Sequence, residues 1–262
     1  MNTIDISYLG LGVGLLLLAM PIYFFHRLGV RLVRSTVIAA VRMVVQLFLI
    51  GLYLKYLFEW NDPWINLAWV ALIVLVASFT VAQRTRLRFG FAVVPLFGGF
   101  CGSAMVVGLY FLMFVLGLSN PFDARYFVPV IGLLVGNMLG VSVMALNTYY
   151  DGLQGDRRLY YYLLGNGASH VEAVMPFVRR AVEKSFAPCV ANMAVMGIVA
   201  MPGTMIGQIL GGSVPGVAIK YQMMIVVIAF VASALSLVVT LYLADRRSFD
   251  IYGRLKDIRR RS

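Results

Sequence analysis

The sequence predicts an all-α, polytopic membrane protein of about seven transmembrane helices, with the N-terminus outside and the C-terminus in the cytoplasm. Three observations predict it. Hydrophobic residues make up 61% of the 262-residue chain and mean hydropathy is +0.87, well above the roughly 45–50% apolar content of soluble domains. The apolar residues gather into seven runs, each near the ~20 residues that a helix needs to cross the hydrocarbon. Basic residues alternate between the two sides of those runs, as the positive-inside pattern requires.

The runs fall at about 7–25, 36–58, 64–82, 91–117, 126–147, 186–211 and 220–243. The opening MNTIDISYLG has no Lys or Arg, whereas a cleaved signal peptide begins with a positive region; the first run is therefore read as a retained outside-to-inside helix. Arg27, Arg31 and Arg34 follow it, and Arg84, Arg86 and Arg88 follow the third run. Arg157, Arg158, Arg179, Arg180 and Lys184 follow the fifth. The tail at 244–262 holds Arg246, Arg247, Arg254, Lys256, Arg259, Arg260 and Arg261. These eighteen of the 22 basic residues share one side, and Lys55, Arg125 and Lys220 lie toward the other. The net charge of +11 is thus a topology signal, and no nucleic-acid partner is expected. No Pro-rich, Ser-rich or charged linker and no internal repeat divides the chain, so 1–262 reads as one membrane domain.

In the second run Arg42 is the only ionised residue within a span. It lies about 10 Å from the cytoplasmic end of its helix at 1.5 Å per residue. From there it either snorkels to the headgroups or lines a pathway for an anionic solute. Gln46 lies one turn further on the same face, so the pair points into a bundle rather than toward lipid. Asn137, Asn147, Asn192, Gln208 and Gln222 are amides in or near spans, where interhelical hydrogen bonding is the ordinary role. Cys101 and Cys189 lie in apolar runs and suggest neither a disulfide framework nor a zinc site.

The longest polar interval, about 148–185, is the candidate cytoplasmic loop. Asp151-Gly152 and Gly155-Asp156 are turn signals. Gly167-Ala168-Ser169-His170-Val171-Glu172 reads as a helix start, with Ser169 as N-cap and Glu172 completing a capping box. Val171, Val174, Met175 and Val178 then supply a helical apolar stripe, followed by Arg179, Arg180 and Lys184. The next run holds MGIVAMPGTMIGQILGGS from Met196. Pro202 lacks an N–H and clashes with the preceding turn, so a kink or break is expected there. Freed carbonyls at membrane depth need protein or water around them. The segment is therefore read as lining a cavity or dimer axis. Met201, Met205 and Gln208 share a side of it, but Met193, Met196, Met201 and Met205 do not make one ligating face. Adaptable packing explains them as well as Cu(I) binding does, and no metal ligand set is assigned.

Other chemistry is missing. Of the four lysines only Lys184 precedes a Ser or Thr, and Glu183 stands where a phosphate-binding loop requires Gly. The chain therefore binds no ATP by that motif. None of the eleven acidic residues falls inside a run, which disfavours a proton relay.

LLGNGASHVEAVMPFVRRA (163–181) resembles the cytoplasmic coupling segment of ATP-binding-cassette permeases. Arg42-Met-Val-Val-Gln-Leu47 with Gly51, and MPGTMIGQILGGSVPGVAIKYQ (201–222), resemble the motifs of the Fet-type permease family, which includes plant relatives linked to aluminium tolerance. Tyr160-Tyr161-Tyr162 and Asn166 depart from it, standing where charged residues are expected. The resemblance covers Arg42 to about Asp245. It implies the membrane subunit of an exporter of iron or another metal species, in a bacterial inner membrane. Gly167, Ala168, Ser169, His170, Glu172 and Ala173 would couple it to a separate ATPase subunit. Arg42, Gln46, Met201, Pro202, Gly203, Met205 and Gln208 would line the pathway. A permease homodimer is implied, with ATP and Mg²⁺ bound by the partner and no cofactor by this chain. The alternative reading is a stand-alone secondary transporter or channel; a non-transporting membrane scaffold is the third.

Overall fold

The computed structural model describes residues 7–250, 253–256 and 258. Among them the regular structure is helical: α1 (Tyr8–Leu16), α2 (Ala19–Arg27), α3 (Val33–Trp60), α4 (Pro63–Arg84) and α5 (Phe89–Tyr110), which ends in a π-helical turn at Phe111–Val115. There follow α6 (Ala124–Gly155), α7 (Arg157–Gly165), α8 (His170–Val195), α9 (Gly203–Leu210) and α10 (Pro215–Ser248). Six stretches are long and apolar enough to cross a membrane: α1 with α2, α3, α4, α5 with its π turn, α6 and α10. They agree with six of the seven expected runs to within a few residues, except that α6 continues past the C-terminal end of its run and α10 extends past its own at both ends.

The remaining run, 186–211, is not one helix. Its first residues are the end of α8, which stops at Val195, and its last are the short α9. The expected loop is also smaller, because α8 begins at His170 and continues without interruption for 26 residues, about 39 Å at 1.5 Å per residue. The amphipathic segment and the start of the sixth run are therefore one element. Pro176 and Pro188 sit inside it without ending it.

The core lies among α4, α5, α6, α8 and α10. Leu96, Phe100, Phe127, Ile131, Leu134 and Met138 are fully buried there. The close approach of α5 to α10 depends on Gly99, where a Cβ would overlap Thr240 Oγ1 and lie 3.0 Å from the Ser236 carbonyl oxygen. In contrast, α3 buries only Leu57 and touches the bundle near its C-terminal end, where Tyr53 stacks on Trp69 at 4.0 Å between centroids.

Caps knit each end of the bundle. Asp62 Oδ1 accepts from Trp64 N–H at 2.8 Å and starts α4, with Pro63 at its first position. Asn61 Oδ1 accepts from Ala124 N–H at 2.9 Å, and Asn66 Nδ2 donates to the Phe122 carbonyl at 3.0 Å. The loops after α3 and α5 thus lie together. At the opposite end Arg88 N–H donates to the Ile258 carbonyl at 2.9 Å and Lys256 N–H to the Ser248 carbonyl at 2.9 Å. The tail is strapped across the loop after α4, with Ile258 buried. Two of the basic groups that predicted a shared side are therefore together at one end; Arg259, Arg260 and Arg261 lie outside the described residues.

Candidate functional site

At the tail end, α7 turns into α8 through Gly167, whose φ of +89° favours glycine. Ser169 then caps α8 as the spacing predicts. Its N–H and Oγ–H donate to Glu172 Oε2 at 2.7 and 2.8 Å, and Glu172 N–H returns to Ser169 Oγ at 3.4 Å. The Ser169 N–H and hydroxyl hold the Glu172 carboxyl below its ordinary value. One face of this helix start is open: Val171, Glu172, Met175, Arg179 and Arg180 are exposed. The other face carries Ala173, Val174 and Phe177 into the bundle, with Phe177 against α6 at Gly152. The predicted coupling residues therefore divide. Gly167, Ser169 and Glu172 are outward and Ala168 is half-buried, whereas Ala173 is fully buried.

His170 turns inward. Its Nε2 lies 2.9 Å from Asp245 Oδ2 near the end of α10, and its Nδ1 lies 3.0 Å from Tyr160 Oη of α7. Tyr149 of α6 donates to Asp245 Oδ1 at 2.6 Å, and Tyr160 Oη lies 3.1 Å from the Gly253 carbonyl oxygen. The Phe249 ring packs edge-on against the imidazole at 4.5 Å. Burial pushes the Tyr160 hydroxyl up to about 12, and the charges that Tyr161, Asp245 and Asp250 carry when ionised push the same way. Tyr149, Tyr160 and Asp245 were not among the sequence candidates. The tyrosine run was visible only as a departure from the family pattern, and 75 residues separate His170 from Asp245.

At the other end lies the break. The helix does not kink at Pro202, as the sequence suggests. It stops seven residues earlier, where Met196 is extended and Gly197 adopts φ +87°. Val199 and Ala200 N–H both return to the Val195 carbonyl, at 3.0 and 3.3 Å, closing a tight turn. Pro202 is the N-cap of α9, where a missing N–H costs little, and Gly203 is its first residue. Gln222 of α10 holds both sides of the break: Thr204 Oγ1 donates to Gln222 Oε1, and Gln222 Nε2 reaches Met196 Sδ at 4.0 Å. The sequence placed Gln222 among ordinary interhelical amides, and it is one at a consequential spot.

Met201 is exposed, Met205 and Gln208 are half-buried, and Gln208 lines a cleft of about 390 Å³ together with Arg125, Ser213 and Tyr221. Because Met201 precedes α9, the shared side expected on an unbroken helix does not form. Among the described residues no cluster of three His, Cys, Asp or Glu could hold a metal ion. Arg42 and Gln46 are exposed on α3 and are not packed against α9 within one copy.

By fold, then, the chain is a multi-pass α-helical membrane protein. Residues 8–249 match the family described as "Uncharacterised protein family (UPF0014)", and the chain belongs to it. Protein ALUMINUM SENSITIVE 3 of Arabidopsis thaliana is 32% identical over 205 residues, which cover 77% of this chain and 72% of that one. UPF0014 membrane protein YjkA of Bacillus subtilis is 26% identical over 95% of this chain and 98% of its own. The protein named "Probable iron export permease protein FetB" of Escherichia coli is 25% identical over 95% of each chain. No solved structure matches.

Proposed function

We propose that this chain is the membrane subunit of an ATP-binding-cassette transporter that exports iron or another metal species across a bacterial inner membrane. A separate ATPase subunit, binding ATP and Mg²⁺, would power it. The observation that carries this reading is the open, capped start of α8. A helix held rigid by its capping box presents Val171, Met175, Arg179 and Arg180 to the outside of the bundle. An apolar stripe beside cations is what a groove on a partner protein recognises. The metal and the direction come from the name of the Escherichia coli relative.

A permease homodimer is part of the proposal. Arg42 and Gln46 are exposed on a helix whose apolar window has no buried residue. Lipid is a costly neighbour for either group, so a second copy or a watery cavity shared with it is the fitting cover. Cargo would pass beside these residues and the break at 196–202.

The test is reconstitution with an ATPase subunit that co-purifies with this chain, measuring ATP hydrolysis and vesicle accumulation with Fe²⁺, other divalent metals and anionic metal complexes. Stimulation and accumulation by a metal species are expected. Activity with other solutes only would overturn the metal assignment. Transport without any ATPase partner would favour a stand-alone secondary transporter or channel.

A further inference from the structure

We propose that His170 and Asp245 form the mechanical junction through which the docking segment moves the membrane bundle; this rests on the two-protein reading above. Asp245 sits where three helices meet. Its Oδ2 faces His170 Nε2, the first residue of α8, at 2.9 Å, and its Oδ1 accepts from Tyr149 of α6 at 2.6 Å. An ionised carboxylate only accepts, so the bond requires a hydrogen on His170 Nε2. The other imidazole nitrogen lies 3.0 Å from Tyr160 Oη of α7, whose one hydrogen goes either to that nitrogen or to the Gly253 carbonyl of the tail at 3.1 Å. One contiguous set of polar contacts therefore joins the start of α8 to α6, α7, α10 and the tail.

The route matters because α8 and α10 meet at few other places, among them the edge-on contact of the Phe186 and Phe230 rings at 5.1 Å between centroids. Below its first residue, α8 packs chiefly on α6. The His170–Asp245 pair is the polar link between the first residue of α8 and the last helix. That helix packs closely on α5 at Gly99 and holds the broken segment through Gln222. A push on the open face of α8 would load α10 at its cytoplasmic end, and α10 carries the load to the break. Hydrogen bonds to a carboxylate are shorter and stronger than neutral ones, which suits a joint that must transmit force without parting. Neither residue would touch nucleotide or cargo; they are positioning residues. His170 and Glu172, neighbours in the same motif, thereby take different tasks, since one faces the bundle and the other the partner.

Hydrogen exchange of the full chain bound to its ATPase subunit, with and without ATP and Mg²⁺, reads the transmission directly and needs no knowledge of the cargo. In the unaltered chain ATP should change exchange both in the first turns of α8 and in the cytoplasmic half of α10. In Asp245→Ala and in His170→Ala the α8 response should persist while the α10 response falls about tenfold, the scale of one lost hydrogen bond to a charged group. The double variant should fall no further, because both single changes cut the same link. Asp245→Asn, which keeps the shape and removes the charge, and Tyr149→Phe serve where an alanine variant fails to insert. An unchanged α10 response in the single variants, or losses that multiply in the double, would overturn the junction alone. A native chain in which ATP alters neither helix would sink the two-protein reading, and the junction with it.

Discussion

Glu172 does two things with one carboxylate: it accepts from the Ser169 backbone and hydroxyl, and it leaves the outer face of α8 negatively charged at its first turn, where the helix dipole favours it. Because folding lowers its proton affinity, its contribution is present above the ordinary carboxylate value of 4.5 and is lost as pH falls through the folded-state value. Protection of residues 170–174 from hydrogen exchange, taken relative to the intrinsic rate at each pH, should therefore fall on acidification below about pH 4.5, and Glu172→Ala should show the lowered protection already at pH 7. Glu172→Gln, which completes a capping box equally well, should lose the pH dependence and keep the protection. Gln222 is the second single residue with leverage. Replacing it by Leu removes the acceptor for Thr204 and the donor toward Met196, a loss of about 1 kcal/mol in a membrane bundle. Exchange in α9 should rise about fivefold on that scale, with exchange in α5 unchanged; equal protection of α9 would show that the amide holds nothing.

The break after α8 was legible as a break but misplaced. Pro and Gly punctuate a sequence conspicuously, so Pro202-Gly203 drew attention, while Gly197 stood among many glycines. A left-handed backbone angle leaves no mark that composition can reveal. Its consequence is testable: Gly197→Val forces a β-branched side chain to φ +87°, at a cost on the order of 1–3 kcal/mol. Pro202→Ala leaves an N-cap position that tolerates the change. Thermal unfolding in detergent should therefore shift clearly for the first variant and little for the second; the reverse order would return the break to Pro202. The capped start of α8 was read correctly because a capping box is local, with donor and acceptor three residues apart. That the same helix runs on to Val195 was not, because Pro176 and Pro188 argue against continuity and only packing against α6 overrides them.

For the molecule as a whole, six apolar stretches and the grouping of basic loops at one end were legible, since both follow from what lipid excludes. The junction at Asp245 was not, because nothing in a linear sequence pairs residues so far apart. The isolation of α3 was likewise hidden: its hydropathy matches that of helices at the core, and only contacts separate them. On the proposed homodimer, Gln46→Cys should form a copy-to-copy disulfide or be shielded from a lipid-phase thiol reagent, whereas Val41→Cys, about 140° away around the helix at 100° per residue, should react freely. Free labelling at both positions would leave α3 facing lipid and remove the support that Arg42 lends to the dimer. The strap of the tail over the loop after α4 bears on how the chain is made. Ile258 is translated about 170 residues after Arg88, to which it bonds, and at 5–20 residues per second that is an interval of about 10–30 s. For that time the α4–α5 hairpin stands with one end unsealed, so a chain cut short before the strap leaves that end of the bundle open to attack.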